Sequence, residues 1–197
     1  MLSALLNKHH LILASASPRR QEFLKHLGLD FETRLKPIEE IYPQHLEHAA
    51  ITNYLAKLKA EPFKHDLKEN DILITSDTIV WHQNKALGKP DNADHAFKIL
   101  KALSDSTHEV ITSICISTTA IQKTVHDTTK VHFKALTDKE IRYYINTFKP
   151  FDKAGAYGIQ EWIGQIGVIG IEGSYYNVMG LPTHLLYKTL LAIVNEN

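Results

Sequence analysis

Three sets of residues in this chain have types and spacings suited to phosphate chemistry. The first is LASASPRRQEFL, at residues 13–24. Ser15 and Ser17 offer hydroxyls, and Ser17-Pro18 reads as a helix cap followed by proline at the first helical position. Arg19 and Arg20 then fall in the first turn of that helix, where partial positive charge disfavours cations. An anion bound to the free N–H groups of the helix start would offset them, and the guanidinium forks match phosphate oxygens. The plain alternative is a solvated arginine pair beside a Ser-Pro cap. The second set is acidic. Asp77 interrupts ILITSDTIVW, a run otherwise suited to burial, and a buried carboxylate must be paired, hydrogen-bonded or metal-bound. It reads as a general base or a metal ligand, or else as an acid at a strand end exposed on a rim. Glu39, Glu40 and Asp152 add hard oxygens of the kind Mg²⁺ takes. The third set is basic. Lys59 lies beside the apolar stripe of a helix, Lys89 sits in the turn GKP, and Lys153 precedes AGAYG, whose glycines allow close backbone approach to a ligand.

Other chemistries find no support. There is neither G-x-x-x-x-G-K followed by Ser or Thr, nor a strand followed by G-x-G-x-x-G. The glycines at 164, 167, 170 and 173 read as a strand with bulges or close backbone contacts. The 12 histidines are scattered, without His-Glu-x-x-His or zinc spacing, and Ser17 is not in G-x-S-x-G. Cys115 is the only cysteine, so no intrachain disulfide can form, and ITSICIS reads as a strand that buries it.

The elements that must position these residues follow from periodicity. Residues 11–14 suit a buried strand, and a helix then runs to Gly28, burying Phe23, Leu24 and Leu27. Residues 29–44 read as irregular. A helix over about 47–60 carries Ile51, Leu55 and Leu58 inward. Residues 71–87 read as a hairpin turning at HQNK. A helix capped by Asp91 or Asn92 points Ala93, Phe97, Leu100 and Leu103 inward. Strands are expected near 109–117 and 124–135, with Val131, Phe133 and Ala135 alternating. Thr137 and Glu140 form a capping box for a helix burying Ile141, Tyr144 and Ile145. IGQIGVIGIEG reads as a strand, and a last helix runs from 182 to about 194. Strands, hairpins and helices together predict an α/β or α+β fold with a mixed sheet.

The 197 residues suffice for one domain, or two small lobes, with a sizeable core. Equal numbers of basic and acidic residues, 22 each, argue against a nucleic-acid or membrane-surface binder. No apolar run approaches the ~20 residues needed to span a bilayer, and no signal-peptide pattern is present, so the expected compartment is the cytoplasm.

Taken in order, LASASPRRQEFL, LAKLKA, SDTIV, LGKP, LSDSTHEVIT, DKAGAYGIQ and GSYYNVMGLP cover nearly the whole chain. In this order they resemble the Maf family of nucleoside triphosphate pyrophosphatases, and DKAGAYGIQ is similar to the branch acting on dTTP and UTP. The resemblance implies hydrolysis between the α- and β-phosphates, a divalent cation (Mg²⁺ or Mn²⁺), a homodimer, and a single domain over 1–197. That domain would be an α/β fold whose long mixed, partly antiparallel sheet is flanked by helices, in two lobes with a cleft. It places substrate and phosphate binding on Ser15, Arg19, Arg20, Lys59, Lys89 and Lys153. Metal binding falls on Glu40, Asp77 and Asp152, with Asp77 also the catalytic base, and base preference on Arg19, Thr78 and Gln160. Housecleaning of modified nucleotides, and a nucleotide-binding regulator of cell division with little catalysis, are the other functions this resemblance admits. The chain departs from the family pattern at Thr75-Ser76, where Gly-Ala is usual, and at Asp105 and Glu161, where glycine is common.

Overall fold

The computed structural model describes residues 2–195. In chain order the elements are α1 (Leu2–Leu5), β1 (His10–Leu13), α2 (Pro18–His26), β2 (Glu32–Thr33), α3 (Ala49–Ala60), β3 (Asp71–His82) and β4 (Lys85–Leu87). They continue with α4 (Ala93–Leu103), β5 (Thr107–Ser117), β6 (Gln122–Phe133), α5 (Asp138–Phe148), α6 (Trp162–Gly167), β7 (Val168–Glu172), α7 (Tyr175–Val178) and α8 (Thr183–Asn195). The strands form one seven-stranded mixed sheet in the order β2-β1-β3-β5-β6-β7, with β4 paired to β3. β1 lies parallel to both β2 and β3, whereas β4 on β3 and β7 on β6 are antiparallel. This is the mixed, partly antiparallel sheet that the sequence implies.

The chain folds as two compact units. One comprises Met1–Asp77, Thr112–Asp127 and Gly180–Asn197, the other Thr78–Ile111 and Thr128–Met179. β3, β5 and β6 each contribute residues to both. The first unit has a core cluster of Ile12, Ala56, Ala60, Phe63, Leu73 and Cys115. Residues Leu11, Ile12 and Leu13 are all buried, as befits a short strand flanked by parallel neighbours. Cys115 is fully buried in β5, as its strand-like surroundings predict. The second unit packs Val80, Leu100, Leu103, Phe133, Ile141, Tyr144 and Ile163, among others, into its core.

Local chemistry accounts for the boundaries. The Ser17 side chain accepts from the Arg20 N–H with Pro18 at the first position of α2. Beyond the helix, Gly28 adopts φ 68°, while the Leu29 N–H reaches the Leu24 carbonyl at 3.1 Å and the Gly28 N–H the Lys25 carbonyl at 2.9 Å. That pair of bonds is the Schellman end that glycine permits. Between β3 and β4 the two-residue turn Gln83-Asn84 has φ 48° and 59°, the type I′ geometry that suits the twist of a hairpin. Asn92, one of the two expected caps, accepts from the His95 N–H, and Thr137–Glu140 close both bonds of the capping box. Asp105 adopts φ 55°, so its place where the family has glycine is a left-handed turn.

The structure corrects several expectations. Residues 162–167 are helical, and only residues 168–172 form the strand. Glycine's low helix propensity masks this helix, yet Gly164 is needed because a Cβ there would stand 1.9 Å from the Ile159 carbonyl oxygen. Ala93 and Ala135 are exposed. Ala96 and Ile99 are buried in α4, and Leu136 takes the inward place after β6. Phe97 is half-buried and covered by the Arg142 guanidinium, 4.5 Å from its ring centroid. In α3 Leu58 is only half-buried, whereas Thr52 and Ala56 are buried. α1 and the two-residue β2 were not apparent in the sequence pattern. No helix among the described residues is long and apolar enough to cross a membrane.

Candidate active site

In the first unit, four segments distant in sequence bring Ser15, Arg20, Glu40, Lys59 and Asp77 together. The placement follows from matched periodicities. Thr75 and Asp77 are two apart on β3 and share a face, while Ala56 and Lys59 are three apart on α3 and also share one. The Thr75 hydroxyl donates to the Ala56 carbonyl at 2.6 Å. One step along both elements, the Lys59 ammonium meets Asp77 Oδ1 at 2.6 Å. Thr75 therefore ties the strand to the helix that presents Lys59. Glu40, from the irregular segment after β2, reaches the same ammonium at 3.2 Å.

Asp77 is buried. Desolvation is the largest influence on it and pushes its pKa above the ordinary carboxylate value, while the charges of Lys59 and Arg20 pull the other way. Burial therefore favours the protonated form of this carboxyl, and the two neighbouring cations favour the ionised form. The rim reading of Asp77 does not hold, since the strand runs five residues past it.

Arg20 differs from the sequence expectation in one respect. Its Nε donates to the Gly180 carbonyl at 2.8 Å and its Nη1 to the Ser76 carbonyl at 3.0 Å. Its Nη1 also lies 3.5 Å from Ser15 Oγ, which accepts the Ser17 N–H at 3.2 Å. The guanidinium is thus a clamp on the turn after β1 as well as a positive charge. Burial lowers its pKa from the usual guanidinium value, with Asp77 opposing. Among the described residues, the buried Nε of Arg19 and the buried Oγ of Ser76 have no hydrogen-bond partner. Such orphaned groups beside a helix start mark a place where a polar ligand would be satisfied.

The second unit holds Thr78, Lys89, Asp152, Lys153 and Gln160. Lys89 is exposed, whereas Lys153 is buried, its ammonium 2.7 Å from Asp152 Oδ1 and 3.2 Å from Glu161 Oε1. The Gly155 N–H donates to the Gly88 carbonyl at 3.1 Å, so the loop bearing Lys89 and the loop bearing Lys153 are joined. Only glycine serves at 155: φ is 69° and a Cβ would meet Val80 Cγ2 at 2.6 Å.

The donor set suits a divalent cation. Two carboxylates, Glu40 and Asp77, converge on one positive group, and Mg²⁺ characteristically binds through one or two carboxylates and completes its shell with waters and substrate phosphates. Among the described residues no three His, Cys, Asp or Glu side chains gather into an all-protein cage. Sequence reasoning overlooked one supporting residue, Tyr144. Tyr144 reads as plain core, since nothing in its helical spacing reveals that its hydroxyl reaches Glu161.

Comparison with known proteins shows the family and the fold. The family model described as "Maf-like protein" matches residues 10–193. A dTTP/UTP pyrophosphatase of Flavobacterium johnsoniae is 60% identical over 98% of this chain and 100% of its own length. Those of Flavobacterium psychrophilum and Christiangramia forsetii are 57% and 53% identical, over 97% and 100% of this chain and 98% and 100% of theirs. Among solved structures, the Ham1 protein of Staphylococcus aureus shares the fold at a TM-score of 0.53 and 15% identity, covering 93% of this chain and 98% of that one.

Proposed function

The chain belongs to the Maf family, and from that premise we propose that it hydrolyses dTTP and UTP between the α- and β-phosphates, releasing the nucleoside monophosphate and pyrophosphate. Relatives at 53–60% identity over nearly the full length carry the name dTTP/UTP pyrophosphatase, which makes this chain a nucleotide pyrophosphatase. The observation that carries the mechanism is the buried Asp77 carboxylate held 2.6 Å from Lys59, with Glu40 on the same ammonium.

In this reading a water oxygen attacks the α-phosphorus and the bond from that phosphorus to the bridging oxygen breaks. Pyrophosphate leaves with the bridging oxygen, and Asp77 takes the proton the water loses. Burial raises the basicity of Asp77, and Lys59 keeps it ionised until the proton arrives. Arg19, whose Nε has no partner among the described residues, and Lys59, Lys89 and Lys153 neutralise the triphosphate, with Ser15 and Arg20 shaping the turn that receives it. Glu40 and Asp77 would hold Mg²⁺ or Mn²⁺, which when bound supplies charge neutralisation for the phosphates and lowers the pKa of coordinated water. Gln160 offers both a donor and an acceptor to a pyrimidine edge, and Arg19 and Thr78 complete the choice of base. A cleft as the substrate's entrance, a homodimer as the working form and the cytoplasm as the compartment belong to the same proposal.

A panel of normal and modified nucleoside triphosphates, each with Mg²⁺ and with Mn²⁺ and with products resolved, tests it. The expected result is dTMP or UMP with pyrophosphate as the dominant products. Release of orthophosphate, or purine triphosphates turned over faster than dTTP, would refute it.

A further inference from the structure

A chain of polar contacts in the second unit ends on a residue to which the proposed mechanism gives no role. The Gly158 N–H donates to Tyr144 Oη at 3.0 Å, and the Tyr144 hydroxyl donates in turn to Glu161 Oε2. The other oxygen, Oε1, lies 3.2 Å from the Lys153 ammonium, which also meets Asp152 at 2.7 Å. The Glu161 side chain folds back over the loop: a Cβ on Gly158 would stand 2.8 Å from its carboxyl carbon. Its backbone is anchored as well, the N–H donating to the Gly158 carbonyl at 3.0 Å and the carbonyl accepting from Gly164 and Gln165 at the start of α6. Tyr144 on α5 thereby holds the 158–161 end of the loop directly, and Glu161 links that end to Lys153 and Asp152 at the other.

We propose that Glu161 is a positioning residue for the nucleotide: its carboxylate, fixed by the Tyr144 hydroxyl, aims the Lys153 ammonium and holds the loop that carries Gln160. The inference rests on the assignment of Lys153 and Gln160 to the substrate given above. Three features make the device effective. The Lys153 side chain is only 10% exposed, so its direction is set by its partners rather than by solvent. The carboxylate has one oxygen on the tyrosine and the other on the lysine, so a single rotamer satisfies both. Burial, reinforced by the Glu161 bond, raises the pKa of the Tyr144 hydroxyl, so the donor stays protonated at any working pH. Glu161 touches no reacting atom in this account, so its loss should weaken binding and spare the chemical step.

The experiment is a double-mutant cycle of Glu161→Gln against Lys153→Met. It is read in KM and kcat for dTTP, and in Kd for the α,β-methylene analogue of dTTP. Glu161→Gln keeps an acceptor for Tyr144 but removes the charge facing Lys153. It should raise KM and Kd about tenfold with kcat within about threefold, the pattern of lost uniform binding. The double variant should bind no more weakly than Lys153→Met alone, because Glu161 acts through that lysine. Tyr144→Phe, which retains the core ring, should shift KM in the same direction, and it takes the place of Glu161→Gln in the cycle should the latter fail to fold. Additive effects, a fall in kcat at constant KM, or a Lys153→Met protein that binds normally would each overturn the inference. A wild-type protein that binds the analogue but releases no pyrophosphate would instead overturn the proposed function, and the cycle in Kd would still judge Glu161.

Discussion

Asp77 shows what one atom's surroundings can do. Its carboxylate is buried, so its charged form is disfavoured, yet Lys59 lies 2.6 Å away and Glu40 shares that ammonium. Asp77→Asn preserves the shape and removes the charge that the proposed mechanism uses. Turnover of dTTP should fall by ~10²-fold or more while circular dichroism and the melting transition stay those of a folded protein. A variant releasing pyrophosphate at a near-native rate would show that the base lies elsewhere. At this scale the sequence was informative wherever a residue contradicted its own neighbourhood: an acid inside an apolar run, arginines at a helix start. It was silent where a residue fitted. Tyr144 satisfies a helical stripe and conceals a hydroxyl bonded to Glu161, and Lys153 precedes the AGAYG turn yet is buried.

Elements were legible where caps and turns announce them. Ser17-Pro18, the Thr137 capping box and the two-residue Gln83-Asn84 turn each sit where their side-chain chemistry requires. The helix at 162–167 was not legible, because glycine every third residue fits a bulged strand as well as it fits a helix face. Close packing decided the matter: α6 approaches the Ile159 carbonyl so nearly that no Cβ fits at Gly164. Gly164→Ala should therefore cost about 3 kcal/mol, since backbone cannot yield as a side chain can. A lowered urea midpoint with an unchanged slope would bear this out, and wild-type stability would mean that α6 shifts freely. The alanine would also loosen residues 152–161, whose far end Glu161 anchors.

Across the whole molecule, the order of the sheet was beyond reach of local pattern. His10 of β1 bonds to Asp71 of β3, 61 residues on, and nothing near either residue names the other. The mixture of strand and helix signals conveyed the class, but not which strands are neighbours. Folding stability offers a test at the same scale. His108 is 1% exposed, pairs with the Tyr157 hydroxyl at 2.7 Å and has a buried Nδ1 without a partner among the described residues. Burial, with His82 and His132 adding like charge, drives its pKa down from an ordinary value of 6.5 to about 3. The unfolded chain takes up this proton below pH 6.5 and the folded chain does not, so stability present above that pH is lost as pH falls toward 3. At pH 5 the loss from this group is about 2 kcal/mol. His108→Gln should lose correspondingly less stability than wild type between pH 7 and pH 5 in paired denaturant titrations. Equal losses in the two proteins would show that His108 does not dominate the acid response.

Cys115, sealed within the first unit's core and lending its carbonyl to the Thr75 hydroxyl at 3.4 Å, has a practical consequence. It is the chain's sole thiol, so a small alkylating reagent has one target and can reach it only when the β3–β5 part of the sheet opens. The speed of labelling is therefore a clock for that opening. Because Thr75 belongs to the strand that carries Asp77, any ligand that stiffens the strand should slow the clock without touching the sulfur.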